Sequence, residues 1–276
     1  MKNLSHIVNK VYGRPWLVQP NVLNSIGKQL ENILQGKADM PMDPMDPEMP
    51  DEPVCEEPVN GIAVICVEGI IGKHLSMLEM VCGGCDVDEI SEQLKEAVDD
   101  ANVQKIVLLF NTPGGTVTGV SELAQQIDEA TQVKEVIGFT DTLCASAGMW
   151  LASQCTSFYC SPSSDVGSVG VYSLYMDASV MYANEGLKVN AISAGKYKLT
   201  GAEFRAMTDE ERAMLQADVD TIYNDFKAAV TKKRKCADED LQGQCFSGVE
   251  AVKRGFADGL INNTRQLFDL LAMSNE

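Results

Sequence analysis

Histidine is almost missing from this chain: only His6 and His74 occur in 276 residues. A Ser-His-Asp triad therefore has next to nothing to draw on, and the two histidines lack the spacing of a metal-ligand pair. Basic residues are also scarce, 22 Lys and Arg against 40 Asp and Glu, for a formal net charge of -18. Nucleic-acid binders show the opposite balance, and adsorption to anionic lipid is disfavoured for the same reason. The acidic residues concentrate near Asp43–Glu57 and Asp209–Asp225, so they say nothing of substrate charge at a cleft. No stretch approaches the ~20 apolar residues of a membrane span. The opening MKNLSHIVNKVYGRPW has no apolar core or small-residue cleavage site of a secretory signal. A soluble cytoplasmic protein with no membrane anchor and no nucleic-acid partner is expected.

What is present begins with nine cysteines. An odd number without a secretory signal reads as reduced thiols. Cys82-Gly-Gly-Cys85 could be half a zinc site or a redox pair, but no second C-x-x-C follows. Plain loop thiols are the better reading, and neither metal nor cofactor is expected. Cys144 lies two residues before Ser146 and reads as a small buried wall residue.

The chain divides into three parts. Residues 1–38 form an arm in which Val22, Ile26, Leu30 and Leu34 make one apolar stripe, predicting a helix. Residues 39–59 (DMPMDPMDPEMPDEPVCEEPV) are an acidic, proline-rich linker without period. Residues 60–276 carry the folded domain. There, apolar runs at Ile62–Val67, Lys105–Phe110, Glu135–Thr140, Phe158–Cys160 and Leu187–Ser193 predict strands. Helices are predicted at 88–101, capped by Asp88, and at 120–130, 146–152, 209–230, 247–254 and 264–272. The 209–230 helix begins with a possible capping box, Thr208 to Glu211. Strands and helices alternate at βαβ spacing, and several strands are apolar throughout, which predicts an α/β fold with a largely parallel sheet.

Three stretches carry candidate chemistry. Asn111-Thr112-Pro113-Gly114-Gly115 ends a buried strand, the edge where α/β sheets bind ligands. Its paired glycines let a backbone approach closely and aim N–H groups at an oxyanion, although a Pro-Gly turn has the same composition. In Cys144-Ala145-Ser146-Ala147-Gly148, the small neighbours leave room for an acyl group on Ser146. A plain helix N-cap serine would look alike. Ser193-Ala-Gly-Lys196-Tyr-Lys198-Leu-Thr-Gly201 is either a solvated basic loop or the source of a lysine base lowered in pKa by burial.

Together these motifs resemble the signal peptide peptidase A family of Ser-Lys proteases, over about residues 60–262. The resemblance implies a Clp/crotonase-like spiral of βαβ units, with Ser146 as nucleophile and Lys198 in G-K-Y-K as general base. Lys196 belongs to the motif without being the base. Ser168, in Asp165-Val-Gly-Ser-Val-Gly170, would orient the lysine amine. Gly114 and Gly115, with Ala147 after the nucleophile, would supply oxyanion donors. The substrate would be a protein or peptide in extended conformation, and the enzyme a homo-oligomer. The arm, with V-Y-G-R-P-W at Val11–Trp16, resembles peptidases of phage head modules, implying capsid or scaffold proteins as partners in host cytoplasm or a prohead. Competing readings are a peptidase clearing signal peptides or protein fragments, a crotonase-like acyl-CoA enzyme, and an inactive scaffold-associated protein.

Overall fold

The computed structural model describes residues 15–19, 61–75, 79–80 and 83–273. The helix expected at 21–34 and the linker lie outside them. The first strand is β1 (Pro15–Val18). The domain then runs β2 (Ile62–Gly72), β3 (Gly84–Asp86), α1 (Val87–Asp99), β4 (Lys105–Thr116), α2 (Val120–Ala130) and β5 (Glu135–Thr140). It continues with β6 (Leu143–Ala145), α3 (Ala147–Ser153), β7 (Ser157–Cys160), β8 (Asp165–Gly167), β9 (Tyr172–Ser173), α4 (Ser179–Asn184) and α5 (Asp209–Lys233). Last come β10 (Cys245–Ser247), α6 (Gly248–Lys253), β11 (Gly259–Leu260) and α7 (Thr264–Met273).

The fold is mixed α/β around a curled, largely parallel sheet. β4 is its axis. The first half of β4 pairs in parallel with β2 and β5, and β5 passes the sheet on to β7 and β11. Near its end β4 turns to a second set of strands, with Thr112 opposite Cys144 of β6, then β8, then antiparallel β10. One long strand can serve both layers because it is apolar on both faces up to Phe110 and has almost no side-chain bulk at Gly114 and Gly115. The main core lies between the sheet and helices α1, α2 and α3, joined by Phe226 and Val230 of α5. α3 is buried throughout, and its Trp150 stacks on Phe226 at 4.7 Å between ring centroids. A second core lies under α7, from Ile62, Val107, Ile137, Phe139 and Leu267.

Four expectations change. Asn111–Gly115 is no turn; it continues β4, because its backbone is paired with β2 and β1. Leu187–Ser193 forms no strand: it is exposed, Ile192 fully so, and has no neighbouring strand to supply a ladder. The α1 cap is Asp86, whose carboxylate accepts from the Asp88 N–H at 2.9 Å. Within the arm, Pro15–Val18 is a strand of the sheet, antiparallel to the ends of β4 and β9. The capping box of α5 is present, with Thr208 and Glu211 bonded reciprocally.

Candidate active site

Ser146 sits between β6 and α3 and is 1% exposed. Its backbone has φ 55° and ψ -115°, and its side chain makes no cap bond to the helix. The plain N-cap reading therefore fails. A serine held at positive φ costs roughly 1–2 kcal/mol. The surrounding bonds hold it there: its N–H donates to Gly167 O at 2.9 Å, and its carbonyl accepts from Trp150 N at 3.0 Å.

The glycine pair of β4 faces it. A Cβ placed on Gly114 would lie 2.0 Å from Leu17 O, 2.8 Å from Ser146 Cβ and 3.0 Å from Ala147 N. One on Gly115 would meet Ile71 O at 1.8 Å. Only glycine lets β1, β2 and the Ser146 turn converge on this backbone. Thr112 braces the stretch: its buried hydroxyl donates to Gly69 O at 2.5 Å and accepts from Gly114 N at 3.1 Å. Of the expected oxyanion donors, Gly114 N–H is thus committed to Thr112. Ala147 N–H, in the first turn of α3, has no intrahelical acceptor by position. A methyl at Gly148 would stand 2.4 Å from Thr112 Cγ2, so the helix can approach the brace only with glycine there.

Ser168 follows the strand that neighbours β6. β6 and β8 pair Ala145 with Gly167 in parallel, so Ser146 and Ser168 are the first residues beyond the ends of adjacent strands. Ser168 shares the unusual backbone, with φ 56°, and its N–H donates to Gln244 O at 2.6 Å. Among the described residues, three non-glycines have positive φ, and two of them are Ser146 and Ser168. Backbone strain of this kind gathers at functional sites.

Lys198 is not brought to them. It is exposed, and no hydrogen bond or ion pair joins it to Ser146 or Ser168 among the described residues. The burial expected of a lysine base is absent within one copy of the chain. Its neighbour Lys196 pairs with Glu210 at 2.6 Å on the surface. The segment is nonetheless anchored. Buried Glu211 accepts from both terminal nitrogens of Arg205 and from Thr200 Oγ1, and Arg205 donates to Leu199 O at 2.7 Å. That guanidinium, helped by the Thr208 N–H, holds the Glu211 carboxyl down to about 2.

Burial raises the Cys144 thiol well above its ordinary range. That makes it a poor nucleophile. Cys82 lies outside the described residues, so the C-x-x-C pair is not placed; burial pushes Cys85 up to about 11. Among the described residues no group of His, Cys, Asp or Glu is arranged to hold a metal. None of their helices is long and apolar enough to cross a membrane.

Comparison with known proteins decides the family. The pattern of peptidase family S49 matches residues 128–273, more than half of the chain and inclusive of Ser146, Ser168 and Lys198. The chain belongs to peptidase family S49. It is similar to the capsid assembly protease C of Escherichia phage lambda, 25% identical over 283 residues, covering 96% of this chain and 64% of that protein. It is 30% identical over 207 residues to the head-tail preconnector protein GP5 of Enterobacteria phage P21, covering 74% of this chain and 41% of the relative. With Protease 4 of Haemophilus influenzae it shares 26% over 219 residues, 75% of this chain and 35% of the relative. The S49 chain thus spans 64% or less of the length of these relatives.

Two parts of this S49 site escaped the sequence reading. Thr112 is one. Its signal was a β-branched hydroxyl directly before Pro-Gly-Gly, at a position too buried for solvent. The strand Pro15–Val18 is the other. Its signal was P-W-L-V, three apolar residues after a proline, too short a run to stand out from an arm.

Proposed function

We propose that this chain is a serine endopeptidase in which Ser146 attacks and Lys198 of a neighbouring copy serves as general base. The observation that carries the reading is Ser146 itself: buried, at positive φ, making no cap bond and facing a glycine backbone. That position costs stability and gives no structural return. The Clp/crotonase type of spiral is the architecture we propose for the curled sheet. The neutral Lys198 amine takes the Ser146 proton as Oγ bonds to the peptide carbonyl carbon. Gly115 and Ala147 N–H groups hold the oxyanion, and Ser168 orients the amine. The ammonium then gives its proton to the leaving nitrogen, freeing the amine product. Water, deprotonated by the same lysine, hydrolyses the ester, and Ser146 regains its proton.

Exposure of Lys198 on an anchored segment, and of Val180, Met181, Leu187, Val189 and Ile192 nearby, supports a base supplied in trans. Similarity to capsid assembly protease C along 96% of this chain supports processing of phage head or scaffold proteins.

The test begins with a fluorophosphonate. Covalent mass on Ser146 is expected; a chain that stays unlabelled while processing a thioester would be an acyl-transfer enzyme instead. Mixing inactive Ser146→Ala and Lys198→Ala chains should then restore peptide hydrolysis, because intact serine and lysine meet across copies. Activity of either variant alone removes its residue from the dyad, and no recovery places the base in the same copy. Co-expression with neighbouring head proteins, wild type against Ser146→Ala, would identify the substrate by mass spectrometry.

A further inference from the structure

The strand β1 lies along the end of β4, beside the candidate site. An extended peptide binds a sheet by adding a strand, its main chain bonded to the edge and its side chains alternating into pockets. In a parallel sheet, ligands take the carboxyl end of the strands. At that end β4 offers Gly114–Thr116, and β9 offers Tyr172–Ser173. β1 fills the space between them, antiparallel to both: Trp16 pairs with Thr116 and Tyr172, Leu17 with Gly115, and Val18 with Gly114. Its path runs directly into the candidate site. Leu17 O, Ser146 Cβ and Ala147 N surround one point beside Gly114, at 2.0, 2.8 and 3.0 Å. A carbonyl of β1 therefore sits beside the nucleophile and one of its proposed oxyanion donors. Beyond Val18, Gln19 N donates to Pro113 O at 3.1 Å. The Gln19 side-chain amide reaches Cys245 Sγ at 3.1 Å, on the strand that pairs with Gly167. Leu17 is fully buried, and Trp16 and Val18 nearly so.

We propose that Pro15–Val18 is a resident, substrate-like strand. It closes the groove until it leaves, and the groove takes extended peptides with large apolar side chains at the places of Trp16, Leu17 and Val18. This rests on Ser146 being the nucleophile, but its test reads binding rather than chemistry. The occupant is tethered: residues 20–60 join it to β2, so it competes at the high effective concentration of an intramolecular ligand. The glycine pair makes the groove a cradle for any main chain, while pocket depth at Leu17 selects the side chain.

The experiment uses full-length chain in a Ser146→Ala background, with a fluorescein-labelled peptide of residues 14–20 as probe and anisotropy as readout. Leu17→Asp places a charge in the buried pocket and should release the resident strand. That chain should bind the peptide at least tenfold more tightly than the chain with Leu17. In a second chain, Pro15→Cys with Ser173→Cys joins two register partners. Combined with Leu17→Asp, oxidation should lock the strand in and lower peptide affinity at least tenfold, and reduction should restore it. A folded Leu17→Asp chain that does not bind the peptide overturns the proposal, as does equal affinity in the oxidised and reduced states. Unfolding of Leu17→Asp also overturns it, since β1 would then be a core strand rather than an occupant. Loss of fluorophosphonate labelling in wild type would sink the nucleophile assignment and leave these binding results standing.

Discussion

Gly114→Ala separates strain at the site from displacement of β1. Gly114 has φ +101°, and a Cβ there meets the Leu17 carbonyl oxygen at 2.0 Å. Ordinary carbon–oxygen contacts lie at ~3.3–3.6 Å, so the strand must recede by more than 1 Å or leave. Gly83 is the control: its φ is +87° but nothing lies within 4 Å of an added Cβ. Gly83→Ala should cost only conformational strain, about 1–2 kcal/mol. For Gly114→Ala the loss of β1 is added. Burial of Trp16, Leu17 and Val18 contributes roughly 1.5–3 kcal/mol each, and ordering four backbone residues costs roughly 1–2 kcal/mol each. The two nearly offset, so β1 adds only about 0.5–1 kcal/mol net, and Gly114→Ala should cost about 1.5–3 kcal/mol in total. At ~2–4 °C per kcal/mol for a domain of this size, that lowers Tm by roughly 3–12 °C. Calorimetry reads the shift, and amide exchange reads protection of residues 16–18. Protection should vanish in Gly114→Ala and persist in Gly83→Ala. Equal losses in both variants, with β1 still protected, would refute the convergence of backbones argued from Gly114.

Ser146→Gly relieves the positive φ and should raise stability by about 1 kcal/mol while abolishing fluorophosphonate labelling; denaturant titration showing a loss of stability would mean the turn is not strained. Lys198→Arg should be as inactive as Lys198→Ala, because guanidinium stays protonated. Lys196→Ala, losing only a surface pair with Glu210, should keep substantial activity on an extended peptide. Glu211 has a carboxyl depressed to about 2 in the folded chain, so its stabilising share is full above the ordinary carboxylate range near 4.5 and is lost as pH falls through 2. Glu211→Gln should abolish that part of the acid dependence. It should also lower kcat more than KM, by loosening the Arg205–Leu199 anchor of the Lys198 segment; an unchanged acid-unfolding curve would count against it. Cys144, held far above its ordinary pKa by burial, should alkylate only on unfolding. Fast modification of native chain, followed by mass spectrometry, would contradict its full burial beside Ser146 in sequence.

The local elements were legible in the sequence because their determinants are local. The helix Val120–Ala130 and the strand Glu135–Thr140 were legible residue for residue, since an apolar period fixes a buried face whatever that face meets. The capping box at Thr208 and Glu211 was legible too, as both partners lie within one turn. Small residues around Ser146 and the near absence of histidine singled out Ser146 as a candidate nucleophile and a lysine as its candidate base. Tertiary structure alone decided the rest. Asn111–Gly115 has the composition of a turn, yet it is strand because β1 and β2 bring strand partners to it from 96–98 residues upstream and 43–44 upstream, which no local period encodes. Leu187–Ser193 has the composition of a strand, yet it is exposed because no edge is there to receive it. Whether Ser146 caps a helix or stands free of it depended on one φ angle, set by a bond to Gly167 on a neighbouring strand. Strand pairing and positive φ are properties of distant backbones meeting, and a sequence states the backbones without stating which of them meet.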